Sequence, residues 1–106
     1  VTVILDEGVP RDLVSLLRSK GNDVVAFPKA WKGTKNGELM KLIGNGGFAC
    51  FVTSDKNLPY QQNLGALPFS VVVLPVNKLE YLLQLIDTIN AAISSATPGA
   101  AYWVDP

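Results

Sequence analysis

The chain has 106 residues, 48% of them hydrophobic, with nine lysines and arginines balanced by nine acids. That length suits one globular domain, the composition excludes a disordered chain, and the even charge gives no global attraction to nucleic acid. With no histidine, a Ser-His-Asp or Cys-His nucleophile system, a histidine metal ligand and a histidine general base are all excluded. Acid–base or metal chemistry must therefore run on carboxylates, lysines or tyrosines.

Val1–Leu5 is a continuous apolar run, as expected of a strand buried on both faces. Pro10 suits the first turn of a helix, with Asp12 close to its N-terminus. Leu13, Leu16 and Leu17 form one apolar stripe, and Gly21 supplies the stop. Val24–Phe27 reads as a second strand and 28–35 as a loop. A second helix is predicted from about Thr34–Asn36, with Leu39, Leu42 and Ile43 inward, ending in Gly44-Asn45-Gly46-Gly47. Because that glycine run follows a helix, it reads as a turn and not a phosphate cradle.

Ala49–Thr53 is a third strand, Pro59–Leu64 a short helix closed by Gly65, and Ser70–Leu74 a fourth strand. Asn77 followed by Glu80 resembles a capping box. It precedes a helix carrying Leu79, Leu82, Leu83, Ile86, Ile89 and Ile93 at helical spacing, ending near Ser95. Ala100–Val104 reads as an edge strand. Strand and helix alternate throughout. This predicts a single domain over 1–106, α/β in class. The expected architecture is a three-layer α/β/α sandwich with a mostly parallel four- to five-stranded sheet, order 2-1-3-4, and right-handed crossovers.

The apolar runs, such as Val71–Leu74, are far too short to span a bilayer, so no membrane partner is expected. One cysteine without a disulfide partner and no signal-peptide pattern point to the cytoplasm. Cys50 sits in an apolar strand and reads as core. Lys29, Lys32, Lys35 and Lys41 share a segment whose only acid is Glu38; the plain reading of such a run is a solvated face. Trp31, within it, is expected to pack against the sheet edge in preference to stacking on a base. Tyr81, Leu85, Tyr102 and Trp103 are candidates for a homodimer surface.

Open α/β sheets bind ligands beyond the carboxyl ends of their strands, at the switch point of strand order. With order 2-1-3-4 that point lies between strands one and three. Asp6 and Glu7 follow strand one, and Asp55 follows strand three. Adjacent strands lie about 4.8 Å apart, so these carboxylates are placed to share a hard cation such as Mg²⁺ or Mn²⁺. Acids also cap strand ends, and spacing alone does not choose between the two roles.

Ile4-Leu5-Asp6-Glu7 leading to Pro10-Arg11-x-Leu13, then Gly21-Asn22-Asp23-Val24-Val25, Asn36-Gly37-Glu38-Leu39, and the run from Val52-Thr53-Ser54-Asp55 through Asn63-Leu64 resemble the short PIN-like domains of bacteria. These are compact relatives of the VapC-type toxin nucleases. The likeness covers roughly residues 3 to 75 and implies a PIN-like, Rossmann-like topology. It further implies a metal-dependent endoribonuclease and, within that class, the toxin of a toxin–antitoxin pair, neutralised by a small antitoxin protein. On this likeness Asp6 and Asp55 are the metal-holding and catalytic acids. Glu38 orients a water. Asn36 stands where such nucleases place an acid on the helix before the Thr-x-Asp motif. Arg11, Lys56, Tyr60, Gln61 and Gln62 are the implied RNA contacts, and the patch of Lys29, Lys32, Lys35 and Lys41 could meet phosphates beside them. An asparagine ligates only through a neutral carbonyl, so Asn36 weakens the centre, although Glu38 or Glu7 could compensate.

Two other readings stand beside this one. A non-catalytic PIN-like binding module is favoured by Asn36. A receiver-like phosphoacceptor domain with Asp55 as acceptor is echoed by Asp55-x-x-Leu58-Pro59. Against the latter, Leu74-Pro75 stands where a receiver needs a hydroxyl, and Asp105 where it needs a lysine.

Overall fold

In the computed structural model, which describes residues 2–105, ten principal elements follow one another. They are β1 (Thr2–Leu5), α1 (Leu13–Ser19), β2 (Asp23–Val25), α2 (Asn36–Asn45), β3 (Cys50–Thr53), α3 (Leu58–Gln61), β4 (Ser70–Val73), α4 (Leu79–Leu82), α5 (Ile86–Ser95) and β5 (Ala101–Trp103). The strand expected from Val1 is described from Thr2 onward; Val1 lies outside the described residues. Short 3-10 turns sit at Lys29–Trp31, Leu64–Ala66 and Leu83–Leu85.

All strand pairings are parallel and the order is β2-β1-β3-β4-β5. The expected 2-1-3-4 order is therefore present, with β5 added at the far edge. Every residue of β3 and β4 is buried, which is why those segments read as unbroken apolar runs and not as alternating ones. Successive side chains nevertheless face opposite layers. Val3, Leu5, Val52 and Val72 join the core that holds Leu13 and Leu17 of α1 with Ile89 and Ile93 of α5. Ile4, Phe51, Val71 and Val73 join the core formed with Leu39, Met40 and Ile43 of α2 and Leu58 of α3. The result is a three-layer α/β/α sandwich of the Rossmann-like kind.

The layers correct one expectation. The connection β1–α1–β2 moves toward the β2 edge over one face. The connections through α2 and α3 move the other way over the opposite face, so all three share a hand. The connection from β4 through α5 to β5 also moves toward the β5 edge, but over the α1 face, so its hand is opposite to the rest. Right-handed crossovers are the rule, and the exception has a cause in burial. The seven-residue α1 leans on β2, leaving Val72 and Leu74 on that face to be covered. The apolar stripe of α5 covers them. Asn22 Nδ2 donates to Asn90 Oδ1 at 2.6 Å, and Lys20 pairs with Asp87 at 2.7 Å, joining the end of the α1 turn to α5.

The expected capping box is also absent. Lys78, not Asn77, precedes α4, and no side chain caps it. The single helix predicted over this stretch is divided by the 3-10 turn, with three residues per turn in place of 3.6. Leu82, Ile89 and Ile93 are buried as a result, while Leu83 is left 45% exposed. Gly21, at φ 95°, ends α1 as predicted.

Candidate functional site

In a parallel sheet every helix that follows a strand begins at the sheet's carboxyl edge. Asp6, Asp55, Asn36 and Glu38 therefore all lie at that edge, after β1, after β3 and in the first turn of α2. Asp6 N–H donates to the Val52 carbonyl at 2.8 Å, extending the β1–β3 ladder by one step beyond Leu5↔Val52. This places Asp6 beside Thr53, the last residue of β3.

Thr53 is fully buried, and its hydroxyl must find partners. It donates to Asp6 Oδ2 at 2.6 Å and accepts from Asp55 N–H at 3.0 Å. Asp6 Oδ1 accepts from Glu7 N–H at 2.7 Å. Asp55 Oδ1 accepts from Asn57 N–H at 3.0 Å, folding its carboxylate over the start of α3 as an Asx turn. Each carboxylate is thus oriented by neutral donors. Neither forms an ion pair; among the described residues the pair within 4 Å is Lys20–Asp87, elsewhere on the surface.

A cleft of about 120 Å³ opens over the ends of β1 and β2. Asp6 and Glu7 contribute its acids, and Arg11, Lys29 and Lys32 its cations. Leu5, Val9, Ala26 and Phe27 form apolar walls. The cleft lies on the β2 side of β1, not at the β1/β3 switch point, and Asp55 is outside its lining. Glu7 stands beside Asp6 there; Glu38 and Asn36 do not line it. Among the described residues no group of three acids or cysteines is close enough to hold a metal by itself.

The other residues singled out from the sequence are dispersed. Arg11 alone of the five candidate RNA contacts shares the cleft with Asp6. Lys56 and Gln61 are exposed. Gln62 lines a shallower groove of about 560 Å³ against Met40 and Lys41 of α2. Tyr60 is 81% exposed and packs at 5.9 Å, tilted by 39°, against Trp103, itself 44% exposed. Of the candidate dimer residues, Tyr81 and Trp103 are exposed, whereas Leu85 packs against the α1/α5 core.

Trp31 packs as expected: it meets Phe27 at 6.2 Å and Phe48 at 6.4 Å, edge to face in both pairs. Cys50 is buried, and its thiol is pushed up to about 11 by desolvation, against a smaller lowering by its hydrogen bond with Ser70. It is a core thiol, not a nucleophile.

Sequence reasoning missed Thr53 as the residue that holds Asp6. A hydroxyl ending an otherwise apolar strand, two residues before an acid, was the available signal. It also missed Phe27 as a cleft residue; of the lysine patch it offered to phosphate, Lys29 and Lys32 line the cleft and Lys35 and Lys41 do not. The 3-10 turn over Lys29–Trp31 joins Lys29 to Lys32. Comparison with family models, with curated proteins and with solved structures found no match, so what the chain does has to be argued from this site.

Proposed function

We propose that the chain is a PIN-like, Mg²⁺- or Mn²⁺-dependent endoribonuclease, with Asp6 as its principal acid and Asp55 in support. The observation that carries this is the hydrogen-bond chain from the Asp6 carboxylate through the Thr53 hydroxyl to the backbone N–H of Asp55. It fixes a charged, unpaired carboxylate at the mouth of a basic cleft. The donor set fits such an ion in the manner in which Mg²⁺ is often held, by one or two carboxylates with the remaining positions left to water and phosphate oxygens. Asp6, with Glu7 beside it, offers those oxygens. Each Asp6 oxygen accepts one protein hydrogen bond and keeps further lone pairs.

When bound, the cation supplies polarisation of a phosphoryl oxygen and a more acidic water. Thr53 keeps the Asp6 carboxylate in one orientation. Arg11 meets phosphate without reading sequence. In this reading Asn36 and Glu38, in the first turn of α2, lie at the same sheet edge, and Lys56, Tyr60, Gln61 and Gln62 would meet RNA only beyond the cleft. An antitoxin would act by covering the cleft, and, of the four candidate dimer residues, a homodimer would form through the exposed Tyr81 and Trp103, since Leu85 and Tyr102 pack against the core.

The test is cleavage of single-stranded RNA by the purified chain with Mg²⁺ or Mn²⁺ and with EDTA. Activity should require the cation and disappear in Asp6→Ala. Cleavage that persists unchanged in that variant sinks the proposal.

A second reading, a non-catalytic RNA-binding module of the same fold, is favoured by the lack of a three-acid group among the described residues and by Asn36 in the first turn of α2. Calorimetry separates the two, since a module of this kind binds no Mg²⁺ or Mn²⁺ at millimolar concentration.

A further inference from the structure

We propose that the cleft between the ends of β1 and β2 is a phosphate-ester subsite. In it Arg11, Lys29 and Lys32 receive a backbone phosphate of one nucleotide, and Phe27 walls its sugar or base. That the ester belongs to RNA rests on the proposed function; the convergence of the three cations does not.

Arg11 comes from the turn before α1, and Lys29 and Lys32 come from the loop after β2, eighteen or more residues away in sequence. All three are exposed, and they line one concavity. None is paired with the two acids of the same cleft within 4 Å. Three cations against two carboxylates leave the lining with a net positive charge of one. Apolar walls lower the local dielectric, and a cleft of this kind focuses the field of its charges on an entering anion. The wall is braced as well. Phe27 meets Trp31 edge to face, and Trp31 meets Phe48 in the same way, so the ring is held from behind. A cleft of about 120 Å³ has room for a phosphate with part of one nucleotide. Asp6 and Glu7 oppose the anion until a divalent cation offsets them, so cation and phosphate should favour each other's binding reciprocally.

The experiment uses the full chain carrying Trp103→Phe, which leaves Trp31 as its one tryptophan, with EDTA present at low salt. Uridine monophosphate, inorganic phosphate and uridine are titrated separately. Trp31 emission and the backbone amide shifts of Phe27 and Lys29 are followed. Uridine monophosphate should saturate both signals, inorganic phosphate should compete, and uridine should do neither. The double variant Lys29→Ala with Lys32→Ala, both exposed positions, should weaken binding by on the order of tenfold or more. Lys78→Ala, exposed and outside the cleft, should leave it unchanged, and Asp6→Asn should tighten it.

The proposal is overturned if uridine monophosphate moves neither signal, if uridine binds as well, or if the double variant keeps full affinity. Because no metal is present, the outcome is separable from the nuclease reading. Nucleotide binding without RNA cleavage in Mg²⁺ upholds the subsite and overturns the nuclease. Cleavage without nucleotide binding does the reverse.

Discussion

Thr53 Oγ1 donates to Asp6 Oδ2 at 2.6 Å across neighbouring parallel strands, joining residues 47 apart in sequence. The same hydroxyl accepts the Asp55 N–H at 3.0 Å. One buried side chain therefore sets the orientation of the first acid and the path of the chain into the second.

Replacing Thr53 by valine keeps the shape and removes both bonds. The Asp6 carboxylate loses a donor and the Asp55 N–H loses its acceptor, a loss of about 1–3 kcal/mol for groups part-buried in this way. Urea denaturation should show it, and Thr53→Ser should recover most of the difference. An unchanged midpoint for Thr53→Val would mean that water replaces the hydroxyl without loss.

Cys50 predicts an alkaline slope in stability. Its thiol, raised from 9.0 to about 11 in the fold, stays protonated after the unfolded thiol has ionised. The unfolded state then holds fewer protons, and stability falls as pH rises through that window. Below pH 9 this contribution is fully present. Unfolding free energies measured at a series of pH values should decline between about 9 and 11, and the same plot for Cys50→Ala should be flatter.

The two cores and the surface should respond very differently to truncation. Ile89 is fully buried between α5 and the sheet, so Ile89→Ala should cost roughly 2–5 kcal/mol. Lys20–Asp87 is a short but solvent-exposed pair, and Asp87→Asn should change stability by about 1 kcal/mol or less, with the difference vanishing in salt. Chemical denaturation at two ionic strengths checks both.

Trp31 should be structural in the absence of any ligand. Two edge-to-face pairs are each worth about 0.5–1.5 kcal/mol beyond area burial, so Trp31→Ala should destabilise by on the order of 2 kcal/mol, and Trp31→Phe by less. In the unsubstituted chain the exposed Trp103 should be quenched by acrylamide more readily than Trp31. Equal quenching would place Trp31 outside the Phe27–Phe48 cluster.

A divalent cation held by Asp6 should stabilise the folded chain by mass action, by about 2.7 kcal/mol at one hundred times its dissociation constant. Thermal unfolding with increasing Mn²⁺ should show a rising midpoint. Asp6→Asn can still accept the Thr53 hydrogen bond, so it should fold but lose the rise.

Local patterns determined much of this protein. Continuous apolar runs placed strands at residues 1–5, 49–53 and 70–74, where the structure has Thr2–Leu5, Cys50–Thr53 and Ser70–Val73, and the stripes of Leu13–Leu17 and Leu39–Ile43 placed the first two helices. Alternation of the two element types, together with the switch-point rule, put Asp6 and Asp55 at neighbouring strand ends. Those inferences need only the periodicities of strand and helix, which each segment carries by itself. Tertiary structure decided the rest. The face taken by α5 depends on how much sheet the short α1 leaves uncovered, which no segment encodes alone. The break at Leu83–Leu85 follows from docking Leu82 and Ile89 into one core. The bond between Thr53 and Asp6 exists only because β1 and β3 are neighbours in that register. The side of β1 on which the cleft opens depends on where the loop after β2 folds, and that loop divides one run of lysines into cleft and solvent.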